Sequence, residues 1–482
     1  LEQKQQIHTF SEEIVLKSRP GTRWQWTTGA FGFYQSLKTI APVTFRSDGM
    51  SMLNQMLGSV IPQEINVAMG PMTMQIAPSL GITSTEMPIP GDFSTPQYNL
   101  ALFHQSTFQE LLGIEGLSLT GGLRRDYEKM IIDYDSHTTL DYQVGIGGKL
   151  LLNDILLKEI EMMPTTDLSL ASGYQGNFSK DYWQLLPKVS LQYDLQNQRG
   201  NLYLSVSKGY RSGGYNIQMF SDLLQAGLRN DMMRQTKEEV MQHVPEAYQS
   251  MVDGFFPEPG ENPDARKAVE YKPEQTWSYE IGTHLNLIDN RLQADASLFW
   301  MDTKNQQISR FAASGLGRET ANAGQSRSRG AEVALTAAVT RDFQLTTSYG
   351  YTHAKFIDYQ LGTAETDYTG NMVPFVPRHT LHIDGNYTFH LQPQACLDRI
   401  VVGANYSGQG KIYWTESNQV CQSFYGTVGG RVSLQKGNGS IDLWVRNLFD
   451  TDYAAFYFET MGNGFLQKGR PLQAGIELRC RF

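Results

Sequence analysis

Residues 471–482 read Pro-Leu-Gln-Ala-Gly-Ile-Glu-Leu-Arg-Cys-Arg-Phe. Side chains alternate along a strand, so Leu472, Ala474, Ile476, Leu478, Cys480 and Phe482 share one face. Gln473, Gly475, Glu477, Arg479 and Arg481 share the other. An apolar face opposite a charged one, ending on an aromatic, suits a strand with lipid on one side and a wet interior on the other. The last strand of a soluble β-sandwich alternates in the same way. Repetition along the chain decides between the two.

The bulk composition leaves the membrane reading open. With 40% hydrophobic residues in a chain of 482 and a mean hydropathy of -0.37, no window approaches the run of roughly 20 apolar residues that a membrane helix needs. Barrel strands need only every second residue apolar, and the 24 Tyr and 45 Gly suit many strands, turns and interfacial rings. A net charge of -9 argues against nucleic-acid binding, which calls for a basic surface. Three cysteines, Cys396, Cys421 and Cys480, are too few for a disulfide framework. Residues 1–20 lack the basic start and apolar run of a secretory leader, and the chain begins with Leu1 instead of Met. The expectation is that the N-terminal part of the protein lies outside this sequence.

In chain order, residues 4–18 read as a strand that turns at Arg19-Pro20-Gly21-Thr22 into a second one with Trp24, Trp26, Thr28, Ala30 and Tyr34 on one face. A polar, Met-rich excursion follows over about 38–96. The next hairpin turns at Gly113-Ile114-Glu115-Gly116, and its return strand sets Leu117, Leu119, Gly121 and Leu123 against Ser118, Thr120, Gly122 and Arg124. A second excursion, roughly 134–179, is expected to hold its own hairpin around Thr139–Val144. Beyond it, Leu202, Leu204, Val206 and Tyr210 oppose Tyr203, Ser205, Ser207 and Arg211.

Residues 216–270 break the alternation. Phe220, Leu223, Leu224, Leu228, Val240 and Val244 recur at helical spacing, and Pro245, Pro257, Pro259 and Pro263 punctuate the stretch. It reads as a large extracellular loop insertion carrying one or two short helices. From about 275 to the end the alternation is tight; for example Leu381, Ile383, Tyr387 and Phe389 point out against His382, Asp384, Asn386 and His390.

Turns alternate in length, short at one end of the strands and long at the other. Outer-membrane barrels have short periplasmic turns and long extracellular loops, so the expected class is all-β, a transmembrane antiparallel β-barrel. About fifteen strands are counted, with the first and last both running toward the periplasm. Bacterial single-chain barrels use even numbers, so an odd number of strands is expected to be missing ahead of the first. The last strand is then expected either to leave an open edge or to close against Lys4–Ser18. The competing reading is a complete passive porin of about 14–16 strands.

Several segments resemble the barrel of TonB-dependent outer-membrane receptors. SKGYRSGGYN (207–216) followed by YKPEQTWSYEIGTHLNLIDNRL (271–292) is similar to an adjacent strand pair of that family. NAGQSRSRGAEVAL (322–335), VPRHTLHIDGNYTF (376–389) and VRNLFDTDYAAF (445–456) resemble later strands, and the terminal Phe482 resembles the assembly signal. The resemblance implies that residues 1–482 are a portion of a barrel of roughly 22 strands, without the plug domain that fills the lumen and without the first strands. It also implies energy-coupled uptake of a large iron chelate, most similar to ferric-siderophore receptors, with haem and cobalamin as other ligands of the class. Implied partners are outer-membrane lipid and lipopolysaccharide, the chelate itself, and the inner-membrane TonB-ExbB-ExbD complex through the missing N-terminal part. The implied state is a monomer in the outer membrane of a Gram-negative bacterium. A non-transporting surface receptor or adhesin is the other alternative.

Such transport makes no covalent bond in the protein, and no cofactor, resident metal or catalytic group is expected. Acidic pairs such as Glu12-Glu13 and Glu238-Glu239 face opposite sides of a strand, and His8, His104, His284, His379, His382 and His390 follow no metalloprotease spacing. An anionic ferric chelate calls for cations and flat rings near the outer strand ends: Arg211, Tyr215, Arg310, Tyr413, Trp414 and Tyr457. The same aromatics also suit an interfacial girdle, with Arg211 paired to a lumenal acid such as Glu280. Met50, Met52, Met56, Met69, Met72, Met74 and Met87 crowd one loop, and Met219, Met232, Met233, Met241 and Met251 another. Thioethers suit packing of a folded loop, contact with a large apolar ligand, or Cu(I).

Overall fold

The computed structural model describes residues 3–58, 64–153, 155–243, 260–311, 318–359, 367–392, 395–460 and 462–481. Phe482, Val244, Pro245, Met251, Pro257 and Pro259, singled out above, lie outside them. Eighteen strands form one sheet, and fifteen of them run through it as an antiparallel meander. They are β1 (Lys4–Lys17), β2 (Trp24–Ile40), β3 (Gln97–Gln109), β4 (Leu117–Leu152) and β5 (Ile155–Asp194). Next come β6 (Gly200–Arg211), β7 (Glu274–Leu287), β8 (Leu292–Lys304), β9 (Gln325–Ala338) and β10 (Phe343–Asp358). The last are β11 (His379–His390), β12 (Arg399–Gly410), β13 (Tyr425–Lys436), β14 (Gly439–Arg446) and β15 (Gln473–Cys480). Each pairs with the next in sequence. The strand count and the order of the meander agree with the reading of the sequence.

The two poles differ as expected. The described residues of turns 18–23, 110–116, 195–199, 288–291, 339–342, 391–398 and 437–438 lie at one pole. The described residues of segments 41–96, 212–273, 305–324, 359–378, 411–424 and 447–472 lie at the other, together with the tip of the β4–β5 hairpin. The short turns are tied to their neighbours. Asp398 accepts from the Gly437 N–H at 2.7 Å and from Lys436 Nζ at 2.9 Å, which holds its carboxyl below the usual range. Gly437 takes φ +50°, a left-handed conformation that costs glycine little.

One face of the sheet is apolar and uncovered. Leu119, Leu191, Leu204, Ile281 and Leu298 stand directly opposite one another across successive ladders, and the last three are 49%, 56% and 59% exposed. Tyr387, Val402, Val432, Leu443 and Ile476 form a matching row on β11–β15, with Ile476 70% exposed. A soluble sheet would bury such rows, whereas a sheet in lipid has no reason to. The opposite face is polar: His284 Nδ1 meets Asp295 at 2.6 Å, Tyr203 donates to Glu280, and Arg479 meets Glu477 at 2.8 Å. Replacing Leu298 by arginine is therefore expected to destabilise the membrane-inserted chain by about 2–4 kcal/mol, as for a cation near the bilayer midplane. The check is the urea midpoint of folding into lipid vesicles; an unchanged midpoint would place Leu298 away from lipid.

Residues 134–179 differ from expectation. No turn occurs at Thr139–Val144; those residues lie in mid-β4, opposite Ala171–Thr166 on β5, and the hairpin tip is near Asn153. The reason is an inversion of polarity along unbroken strands. Low on the hairpin the outward residues are apolar, with Leu123, Trp183 and Leu185 exposed. Higher up the same face carries exposed His137, Asp141, Gln143, Asp167 and Ser169. The inner face changes the other way, from buried Asp126 and Glu128 to buried Ile132, Leu140, Tyr142 and Val144. The switch lies just beyond the Tyr127–Trp183 ring pair at 4.8 Å, where Arg125 stacks on Trp183 at 4.4 Å. Aromatic rings at this level mark a membrane interface, so the upper hairpin stands in water.

A helix covers the inner face of that upper hairpin. The sequence indicated short helices; instead α2 spans Met219–His243, 25 residues, between α1 (Ser47–Gly58) and the short α3 (Ala265–Val269). Phe220, Leu223, Leu224, Leu228, Met232 and Val240 are all buried, a stripe at helical spacing. Leu224, Leu228 and Met232 pack with Leu140 and Tyr142 of β4 and with Met50, Met87 and Ile89 of the 41–96 loop. Tyr142 Oη donates to Gln235 at 3.1 Å. Met50, Met87, Met163 and Met232 are at most 4% exposed, so these thioethers fill the core of a folded loop module. Three loop strands, Ile65–Met69, Met72–Ile82 and Gly91–Ser94, extend the sheet beside β4.

Tyr210 also departs from the simple alternation. Its hydroxyl accepts from Asn99 Nδ2 of β3 at 3.0 Å instead of pointing outward beside Leu204. The β5–β6 ladder ends at Lys188–Ser207, next to Pro187, which has no N–H to donate. Among the described residues β1 is paired on one side, with β2, and β15 on one side, with β14.

Candidate functional site at the long-loop pole

Three of the long loops are fastened together by asparagine and glutamine side chains. Asn418, at φ +58°, donates from Nδ2 to the Met372 carbonyl at 2.9 Å and accepts the Met372 N–H on Oδ1 at 2.6 Å. Asn371 Nδ2 donates to the Glu416 carbonyl at 2.8 Å. Gln422 Oε1 accepts the Ala454 N–H at 2.8 Å and joins the third loop. Buried Asn447, in the VRNLFDTDY stretch, bonds the Thr451 and Arg470 carbonyls at 3.1 and 3.0 Å and so closes the base of that loop. Side-chain amides that copy backbone pairing make such loops rigid without a sheet.

These ties bring five rings together. Phe375 stacks on Phe456 at 5.7 Å, and Trp414 stands edge-on to Phe375 at 5.7 Å and to Phe456 at 6.5 Å. Phe456 continues to Phe458 at 5.8 Å, which stacks on Phe465 at 5.1 Å. The Arg318 guanidinium lies 5.2 Å from the Phe456 ring centre. Trp414, 7% exposed, forms the floor, while Phe375 at 40% and Phe465 at 47% form an open rim. Phe375 sits between Pro374 and Pro377 at φ +65°, with its N–H bonded to the Tyr413 carbonyl at 2.8 Å. A left-handed phenylalanine costs about 1–2 kcal/mol and persists where the surroundings impose it, commonly at ligand clamps. Flat rings with a guanidinium above them can hold a planar, electron-rich, anionic group by stacking and charge.

The site connects to the helical module. Asn216, just before α2, exchanges two bonds with Thr320, at 2.9 and 2.8 Å, and the Arg318 N–H donates to Gln218 Oε1 at 3.0 Å. The strand that carries Arg318 thus touches both the segment leading into α2 and the aromatic cluster.

The six residues picked from the sequence separate. Trp414 is in the cluster, and Tyr413 is beside it with Lys411 Nζ 4.9 Å above its ring. Tyr457 is on the same hairpin as Phe456, but its hydroxyl donates to Glu459 at 2.9 Å, and that bond pushes the phenol upward. Arg310 is held by Glu319 at 2.6 Å in the hairpin that also carries Arg318. Tyr215 packs under α2, edge-on to Phe178 at 5.2 Å, and donates to the Met130 carbonyl at 3.2 Å. Burial, then Glu270, pushes its hydroxyl up to about 12, so it stays a neutral phenol at physiological pH. Arg211 ends β6 opposite Glu274; Glu280 lies lower, opposite Ser205, and is bonded to Tyr203. Phe375, Phe456 and Arg318 were missed, because no sequence period marks three loops that meet only in space.

Below the mouth the inner wall is charged. Asp384, Asn405, Arg431, Asp442, Glu477 and Arg479 line a hollow of about 330 Å³. His382 meets Ser407 at 2.9 Å and His390 meets Asp342 at 3.3 Å.

Comparison with known proteins sets this geometry in a family. The family model described as "TonB dependent receptor-like, beta-barrel" matches residues 21–448. The chain belongs to this family. The family is one of transport receptors, and its members are outer-membrane proteins of Gram-negative bacteria. The chain is similar to the pesticin receptor of Yersinia pestis, at 24% identity over 400 residues, covering 81% of this chain and 50% of that protein. The ferrichrome outer membrane transporter/phage receptor of Escherichia coli (strain K12) is 28% identical over 216 residues, covering 44% of this chain and 25% of that protein. Among solved structures, the ferric yersiniabactin uptake receptor FyuA from Yersinia pestis superposes with a TM-score of 0.50 at 16% identity. That match covers 99% of this chain and 62% of that one and bears on the fold. The chain spans about half the length of the curated pesticin receptors it matches.

Proposed function

We propose that this chain serves energy-coupled uptake of a large iron chelate, a ferric siderophore, across the outer membrane. The observation that carries the reading is the ring cluster of Phe375, Trp414 and Phe456 under the Arg318 guanidinium, at the long-loop pole of a TonB-dependent receptor barrel. A ferric chelate bearing aromatic or carboxylate groups offers flat faces for the rings and negative charge for the arginine. Arg310, Tyr413 and Tyr457 flank this mouth and are proposed to contact the outer edge of the ligand. Tyr215 and Arg211 are proposed to act through the packing of the loop module. The named relatives, a ferrichrome transporter and a ferric yersiniabactin uptake receptor, support the ligand class. Energy would come through the inner-membrane TonB-ExbB-ExbD complex, with a monomer as the working unit.

The test is uptake of radiolabelled iron from a panel of ferric siderophores, haem and labelled cobalamin, in cells with and without the gene. Loss of uptake of one ferric siderophore on deletion, and its arrest by an uncoupler, is the expected result. Loss of haem or cobalamin uptake instead would reassign the ligand. No change for any ligand, or uptake that survives the uncoupler, would refute the proposal; open conductance in planar bilayers would then favour a passive pore.

A further inference from the structure

The inner face of the sheet buries a carboxylate that ligand capture does not use. Glu128 of β4 is fully buried, and Asn99 of β3, directly opposite it, is 9% exposed. Gln97 Nε2 donates to Glu128 Oε1. Asn99 Nδ2 donates to Tyr210 Oη at 3.0 Å. The other oxygen of each pair member, Glu128 Oε2 and Asn99 Oδ1, has no hydrogen-bond partner among the described residues. Cβ atoms of directly opposed residues are about 4.5–5.5 Å apart, so these two oxygens share one small space. The Ser212 hydroxyl lies beside the Glu128 carboxyl without a hydrogen bond to Oε2, and it adds a third oxygen.

The basic side chains nearby are engaged elsewhere. Arg124 holds Asp126 through Nη2 at 2.8 Å and Nε at 2.9 Å. Lys180 pairs with Glu270 at 3.8 Å, and Arg211 stands opposite Glu274. The charge that bears on Glu128 is Asp126, another carboxylate. A buried carboxylate calls for a paired charge or a coordinated ion, and a buried acceptor without a donor is costly. A proton shared between Oε2 and Oδ1 is the competing answer, but only a hard cation uses the Ser212 oxygen as well. Among the described residues no group of three or more His, Cys, Asp or Glu is placed to hold a metal ion. One free carboxylate balances one positive charge.

We infer that Glu128 Oε2, Asn99 Oδ1 and Ser212 Oγ bind a singly charged alkali cation, sodium in size and charge, within the inner wall. The ion ties the β3–β4 wall to the chain that leaves β6 for α2. Ser212 directly follows β6, and its carbonyl accepts from Gln307 Nε2 at 2.8 Å. The ion therefore steadies the base of the helical module. This inference stands whatever ligand the mouth captures.

The experiment is hydrogen exchange of the full chain in non-ionic detergent, with sodium chloride replacing choline chloride at constant ionic strength. Sodium at ten times its dissociation constant is expected to slow exchange of amides 212–216 about tenfold. Glu128→Gln is expected to lose the sodium effect, because its amide can donate to Asn99 Oδ1 and carries no charge. Ser212→Ala is expected to need about fivefold more sodium for the same slowing. Heat-modifiable migration on gels reports folding of each variant. If Glu128→Gln fails to fold, Ser212→Ala decides, since it removes one oxygen and no charge. Equal exchange in sodium and choline would overturn the inference and leave Glu128 protonated or bonded to water. A sodium effect undiminished in folded Glu128→Gln or in Ser212→Ala would place the ion elsewhere and overturn it too. Slowing by micromolar calcium in place of sodium would overturn the assigned charge.

Discussion

Replacing Trp414 with alanine is expected to weaken capture of the ferric chelate by at least about thirtyfold, because aromatic hot spots of this kind carry about 2 kcal/mol or more. The indole floors the cluster and is edge-on to both Phe375 and Phe456, so its loss removes a stacking surface and frees two rings. Phe456→Ala should act similarly, since Phe456 contacts Phe375, Trp414, Phe458 and Arg318 at once. The two are in contact, so the double variant should lose less than the sum. Equilibrium binding of radiolabelled chelate to outer-membrane vesicles measures all three. Unaltered affinity in Trp414→Ala would remove the cluster from the ligand site.

Placing a carboxylate in the helical module should have the second large effect. Leu224 is fully buried among Leu140, Tyr142, Met50 and Met87. Leu224→Ala alone should cost about 2–5 kcal/mol locally, and Leu224→Asp more, because the charge has no partner in that apolar core. The expected result is release of α2 from the hairpin while the membrane strands stay paired. Hydrogen exchange would show it as fast exchange of amides 219–243 with unchanged protection in β7–β14. Retained protection of α2 in a folded Leu224→Asp chain would contradict the packing described.

Both predictions concern regions that the sequence disclosed unevenly. The strands from 275 onward were legible because each keeps one apolar and one polar face from end to end, as in Leu298 and Ile281 against Glu280 and Asp295. The upper β4–β5 hairpin was not, because its polarity changes sides past Tyr127 and Trp183, which mimics a break in the strand. Helix α2 was found from Phe220, Leu223, Leu224 and Leu228, but its length was understated. Gly227 and Thr236 complete the buried stripe without looking apolar, and a side chain at Gly227 would press on Ser172 of β5. Trp414 could be chosen by chemistry and position. Phe375, Phe456 and Arg318 could not, since their proximity depends on Asn371, Asn418 and Gln422 bonding to other loops.

A sheet that crosses the outer membrane with its long loops outside underlies every step above, and the cysteines can test that orientation. Cys421, in the 411–424 loop, and Cys396, in the 391–398 turn, lie at opposite poles, and both are exposed, as is Cys480. Two chains each keep one of them, by Cys396→Ser with Cys480→Ser, or by Cys421→Ser with Cys480→Ser. They are treated in intact cells with a membrane-impermeant maleimide. Cys421 is expected to label in intact cells, and Cys396 only after the outer membrane is opened. Labelling of Cys396 in intact cells as fast as Cys421 would contradict it.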